Sequence, residues 1–217
     1  MTEKQTEAKK IYQQHRDRQR MALLAAAKKL FIEKGIQGTT LGDIAVEAGV
    51  TRVTVYQYFT NQSDIAWAIL ERIFESSKEV RHNALQLDGT GYERIAACLA
   101  GFLQSLIHDP GNFCFLAQFD SMYAGKQDVA RLLEMTQRIF GGAPALVTEI
   151  IRKGIEDGSL RSNLNPALTA ATIVNVALAT GVRLTIHRKS VEIEYGHTIE
   201  QIFGEACQLL LQGIRTP

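Results

Sequence analysis

A chain of 217 residues with 46% hydrophobic and 22% charged side chains has the length and composition of a folded globular protein, which excludes disorder as its global state. The formal net charge of +1 hides an asymmetry: residues 1–60 carry ten Lys/Arg against six Asp/Glu, and residues 61–217 carry fourteen against seventeen. A basic front on an acidic body suits a chain whose first part meets a polyanion, although a chance fluctuation of a few charges gives the same pattern.

Helical periodicity runs through nearly the whole chain, and strand-like alternation is scarce. A first long helix is predicted from about Arg16 to Lys34, with Met21, Leu24, Ala27, Lys28 and Phe31 at three-to-four spacing and Gly35 as its stop. Thr40 sits where an N-cap belongs, with Asp43 in the first turn of a short helix reaching Ala48. After Gly49 comes a second short helix, from about Arg52 to Tyr58 or Phe59. Asn61 caps a long helix from Gln62 to roughly Leu85, and Asp88-Gly89-Thr90-Gly91 breaks the chain. Five more helices are predicted: Tyr92–His108, Pro110–Tyr123, Lys126–Glu156 (bent near Gly141-Gly142-Ala143-Pro144), Pro166–Lys189 and Thr198–Gly213. The fold class is all-α with about nine helices. The expected division is an N-terminal arm and small helical head over residues 1–62 and a helical body over residues 63–217.

Residues 41–60 carry the most information. Two short helices crossing steeply with almost no linker need a small residue where they touch, and Ala45 is placed there. Gly49, four residues on, supplies a left-handed backbone that reverses the chain. Val55, ten after Ala45, plugs the core beneath the second helix, with Ile44, Ala48, Val50 and Phe59 on the same inner side. Thr51, Arg52, Thr54, Gln57 and Tyr58 then face outward, a face of donors and hydroxyls suited to a major groove. A plain helical hairpin, its glycine only a cap, satisfies the same spacing.

The run from Gly38 to Phe59, GTTLGDIAVEAGVTRVTVYQYF, resembles the signature of the TetR family of regulators, and Ala26-Ala27, Leu30-Phe31 and Gly35 resemble that family's first helix. The likeness covers residues 16–65; beyond it only a helical body and Gly154-Ile155-Glu156-Asp157-Gly158-Ser159-Leu160 echo the family. The resemblance implies a homodimeric regulator of a double-stranded DNA operator, with Arg52, Thr54 and Gln57 on base edges and Tyr56 on a phosphate. It also implies a phosphate contact at Thr40 and either kind of contact at Tyr58, with Thr51 on the same face. One departure stands out: where the family has a phosphate-binding lysine at the start of the fourth helix, this chain has Gln62. Six of the first twenty residues are basic, so an N-terminal arm lying along or inside a minor groove is one substitute. A frayed, solvated tail is the alternative.

For the body, the resemblance implies a small-molecule cavity and a dimer interface. Trp67, Phe102, Phe115, Phe119 and Tyr123, with Cys98, Gln118 and Asn175 as polar anchors, are the candidate lining for a lipophilic or aromatic effector. Ala170, Val174, Ala177 and Leu178 form one small-residue stripe, and Ile202, Phe203, Ala206, Leu209 and Leu210 another. Two such helices from each subunit would make a four-helix interface, while an intramolecular core is the competing use of the same residues.

Signals for other functions are missing. Cys98, Cys114 and Cys207 are far apart with no CxxC, and the five histidines show no metal-ligand spacing. Neither GxGxxG, a P-loop nor GxSxG occurs, so no enzyme activity, cofactor or metal is expected. A helical adaptor and an α-helical enzyme stay as the rival readings. No apolar secretory segment opens the chain, which points to the cytoplasm. The uncharged stretch Ser162–Val182 is long enough to span a membrane, but its Asn, Thr and Ala content fits a buried or interface helix.

Overall fold

The computed structural model describes residues 3–124, 128–141 and 145–217. Among them are eleven helices: α1 (Glu3–Lys34), α2 (Leu41–Glu47), α3 (Arg52–Tyr56), α4 (Gln62–Gln86), α5 (Gly91–His108), α6 (Gly111–Tyr123), α7 (Val129–Phe140), α8 (Ala145–Glu156), α9 (Pro166–Ile186), α10 (Arg188–Tyr195) and α11 (Ile199–Ile214). The all-α class holds, with two helices more than expected. The single helix predicted across 126–156 is two, because Gly141 takes a left-handed backbone (φ +72°) and ends α7. The helix predicted to Lys189 ends at Ile186, and α10 follows from the His187 junction. The bend at residues 142–144 lies outside the described residues.

The first helix begins far upstream of its predicted start, at Glu3. No Gly or Pro interrupts residues 3–34, and Ala, Glu, Lys, Gln and Arg dominate, so nothing local stops the helix earlier. Its buried stripe is Leu23, Leu24, Ala26, Ala27, Leu30 and Phe31, whereas Met21 is 41% exposed. Apolar burial therefore starts only at Leu23.

The chain divides into two compact units. One comprises Met1–Leu70 with Gln118–Met122, and the other Glu71–Ala117 with Tyr123–Pro217. Helices α4 and α6 each contribute residues to both.

The larger unit is built on α5, α8, α9 and α11, whose buried residues include Ile95, Leu99, Leu106, Ile150, Ile151, Ala170, Ile173, Ala177 and Phe203. Glycines permit its two tightest crossings. A Cβ on Gly91 would lie 2.2 Å from the Gly154 Cα, and one on Gly181 would lie 2.4 Å from the Phe113 ring. The segment Gly154–Leu160 accounts for itself here. The Gly91 amide donates to Asp157 Oδ2 (2.7 Å) and the Tyr92 amide to Ser159 Oγ (3.1 Å), so this turn caps α5 from across the fold, while Leu160 is buried.

Candidate DNA-binding head

Within the smaller unit, the starts of α2, α3 and α4 are side-chain caps encoded locally. The Thr40 hydroxyl accepts from the Asp43 amide (3.1 Å), and the Asp43 carboxylate accepts from the Thr40 amide (2.9 Å) and hydroxyl (2.8 Å). Those two bonds from Thr40 hold the Asp43 carboxyl below its ordinary range. The Thr51 hydroxyl caps α3 by accepting from the Thr54 amide (3.2 Å), and Asn61 Oδ1 caps α4 by accepting from the Asp64 amide (2.9 Å). Thr39, fully buried, donates its hydroxyl to the Gly35 carbonyl (2.8 Å), so its polar group is satisfied where α1 gives way to α2.

The helix-turn-helix sterics are as the spacing required. Ala45 and Val55 are 2% and 0% exposed, Ile44 and Phe59 are buried, and Ala48 and Val50 are half-buried. Gly49 sits at φ +67°, and a Cβ there would meet nothing within 4 Å. The glycine is needed for its backbone conformation, not for space.

Of the predicted groove-facing residues, Thr51, Arg52, Tyr56 and Gln57 are exposed, and Thr54, Tyr58 and Gln62 are half-buried. Tyr56 is 62% exposed. Arg52 is not extended: its guanidinium lies across α2, where a Cβ on Gly42 would come within 2.5 Å of Nη2. Reaching a base edge requires that flexible side chain to swing away from Gly42. Thr40 has both its amide and hydroxyl committed to Asp43, so a phosphate contact there competes with the capping box. Tyr58 donates its hydroxyl to Gln19 Oε1 (2.9 Å), tying it to α1.

Three features of this face had no sequence signal. Val53 is 68% exposed on α3 and Val46 83% exposed on α2, although isolated valines read as core. Arg16 lies over the Tyr58 ring with its Cζ 5.7 Å from the centroid, and Arg20 lies over Phe59 at 5.6 Å. Contacts between residues about forty positions apart leave no periodic trace.

The residues proposed for an effector pocket fall in both compact units. Trp67, Gln118 and Phe119 belong to the head unit, where Trp67 and Phe119 meet edge to face at 5.1 Å and Gln118 Oε1 lies 3.6 Å from where a Cβ on Gly35 would be. Cys98, Phe102, Phe115, Tyr123 and Asn175 belong to the larger unit. There Cys98 and Phe115 are buried and Phe102 and Tyr123 half-buried, while the exposed Asn175 donates to the Ala171 carbonyl of its own helix (2.8 Å).

The residues proposed for the interface stripes differ in their burial within the chain. Ala170, Ala177 and Phe203 point into the core, and Val174, Leu178, Ile202 and Leu210 pack against it. Ala206 is half-buried, and Leu209 is 59% exposed. On α9 the small residues serve the chain's own close packing, and the outward apolar positions are Leu168, Val176 and Ile186. Among the described residues α9 alone is long and apolar enough to cross a membrane (hydropathy 1.5), yet only 28% of that stretch is buried within the chain.

A left-handed glycine hinge between two capped short helices, the second presenting an exposed polar face, defines a helix-turn-helix. Residues 23–69 match the family model described as bacterial regulatory proteins, tetR family. Over that segment the chain resembles the family. It is 27% identical over 115 residues to the transcriptional activator FasR of Mycolicibacterium smegmatis, a match covering 53% of this chain and 52% of FasR. It is 38% identical over 69 residues to the transcriptional repressor BepR of Brucella suis, covering 32% of this chain and 33% of BepR. The chain thus spans about half or less of these two relatives. Its fold is that of Bacillus subtilis FadR, solved in complex with stearoyl-CoA, at a TM-score of 0.69 and 20% identity, covering 90% of this chain and 99% of that one.

Proposed function

We propose that this protein is a cytoplasmic transcriptional regulator that binds a pseudo-palindromic operator as a homodimer and is released by a lipophilic effector. The observation that carries the reading is α3, a capped helix held by Ala45, Gly49 and Val55 so that Arg52, Tyr56 and Gln57 project from the head. Arg52, Thr54 and Gln57 are assigned to base edges, Tyr56 to a phosphate, and Gln62 to a weaker, uncharged backbone contact.

Dimerisation is assigned to the outward faces of α9 and α11, where Leu168, Val176 and Ile186 on α9 and Leu209 on α11 are exposed and α9 is too apolar for a lone surface helix. A lipophilic effector is supported by the apolar interior of the larger unit and by a fold shared with a regulator solved with an acyl-CoA. Because α4 and α6 run through both units, an effector that displaces either helix displaces residues of the head. A coupling of about 1–3 kcal/mol would change operator affinity roughly 5- to 150-fold. Repression by occluding polymerase is the assigned output.

The test is selection of bound DNA from a random duplex pool. Recovery of two half-sites about one helical turn apart, or a multiple of it, supports the reading. Absence of salt-sensitive binding to any duplex would refute it in favour of an adaptor or an enzyme.

A further inference from the structure

The described side chains in the first part of α1 lie outside the head's core. Residues 9–18 are all exposed, and apolar burial starts at Leu23. An unsupported helix of this length is marginal in water, so a segment built this way gains from a partner surface. Its composition names the partner's charge: six Lys/Arg and three Asp/Glu within the first twenty residues.

Its root is fixed in a specific place. The Tyr58 hydroxyl donates to Gln19 (2.9 Å), the Arg16 guanidinium covers the Tyr58 ring, and Arg20 covers Phe59. Tyr58 and Phe59 follow directly on α3, so the basic extension is pinned to the element that meets DNA.

We propose that the N-terminal extension of α1 is a second DNA contact, laid along the phosphate backbone flanking each half-site, with Arg16 anchored on Tyr58. The inference rests on α3 being the recognition helix. An α-helix about 10 Å wide does not enter a minor groove about 6 Å wide, so a helical extension meets phosphates and not the groove floor. Such a contact adds affinity without sequence preference, and it supplies the positive charge that Gln62 does not. Lys9, Lys10 and Arg16 are the assigned phosphate ligands, and all three are exposed.

Fluorescence anisotropy on a duplex from the selection described above tests this, comparing the full chain with a Lys9→Ala/Lys10→Ala/Arg16→Ala variant across salt concentrations. Each lost phosphate contact removes about 0.9 from the slope of log affinity against log salt, so the variant's slope should be shallower by about two to three. Its base preferences in the selection should match the parent's. Trimming the duplex to the outer edges of the half-sites should give the parent the variant's slope. Charge-preserving changes (Lys9→Arg, Lys10→Arg, Arg16→Lys) should keep the parent slope.

All three positions are on the surface, and circular dichroism checks that the variant folds. Operator binding with an unchanged slope on the long duplex overturns the proposal and leaves α3's role intact. So does a variant whose only defect is a lost dimer in sedimentation, which would assign the extension, with its exposed Ile11 and Tyr12, to a second copy. If the parent binds no duplex, the reading of α3 falls first and this inference with it.

Discussion

Replacing Gly49 isolates the backbone requirement of the turn from every other effect. Its φ of +67° is in the left-handed region, and a Cβ there meets nothing within 4 Å, so steric crowding by neighbours is absent. The cost of Gly49→Ala is then the left-handed penalty of an L-residue, about 1–2 kcal/mol. A smaller offset of about 0.4–1 kcal/mol comes from the stiffer unfolded chain, leaving a net loss near 1 kcal/mol. Asn tolerates this region better and should cost about half as much; Val, branched at Cβ, should cost more than Ala. The assay is urea unfolding followed by tryptophan fluorescence, since the chain's one tryptophan, Trp67, is buried in the head unit against Phe119. With a slope of about 2 kcal/mol per molar urea, Gly49→Ala should lower the midpoint by about 0.5 M. If Ala, Asn and Val leave the midpoint equally unchanged, the turn does not depend on glycine's backbone and the steric account of the motif is wrong.

Arg52→Ala should cost roughly 1–3 kcal/mol of operator binding and relax discrimination at one base pair per half-site, read from the selected pool. Val53 is exposed on α3, and a thymine methyl is the apolar group a major groove offers it: replacing operator thymines by deoxyuridine should weaken the parent at one position and leave Val53→Ser indifferent there. Burial pushes the Cys207 thiol up to about 11, so at pH 8 it should resist a thiol-specific reagent until denaturant is added. At Asp157, burial raises the carboxyl, but the hydrogen bonds from Ser159 and Gly91 outweigh it and the net shift is downward. Its contribution is therefore complete above the ordinary value of 3.8 and is lost as pH falls through the lower folded value. Asp157→Asn should be less stable than the parent at neutral pH, with the gap closing as pH falls below the ordinary value of 3.8 in urea midpoints measured against pH.

What could be read without coordinates was local. Thr40, Thr51, Asn61, Thr90 and Thr198 cap helices because a short side-chain oxygen three residues before a free amide does so wherever it occurs. Ala45, Gly49 and Val55 announce the turn because each residue type meets a constraint its neighbours impose within ten positions. The rest depended on which surfaces meet. Ala170, Ala177 and Phe203 have the same composition whether they face a partner or their own core, and only the packing of α9 on α5, α8 and α11, and of α11 on α5, places them inward. Gly42 beneath Arg52, Arg16 over Tyr58 and the Gly154 turn capping α5 join segments ten to about seventy residues apart. No periodicity records such pairs, because hydrophobic spacing specifies a helix's buried face and not the neighbour that buries it.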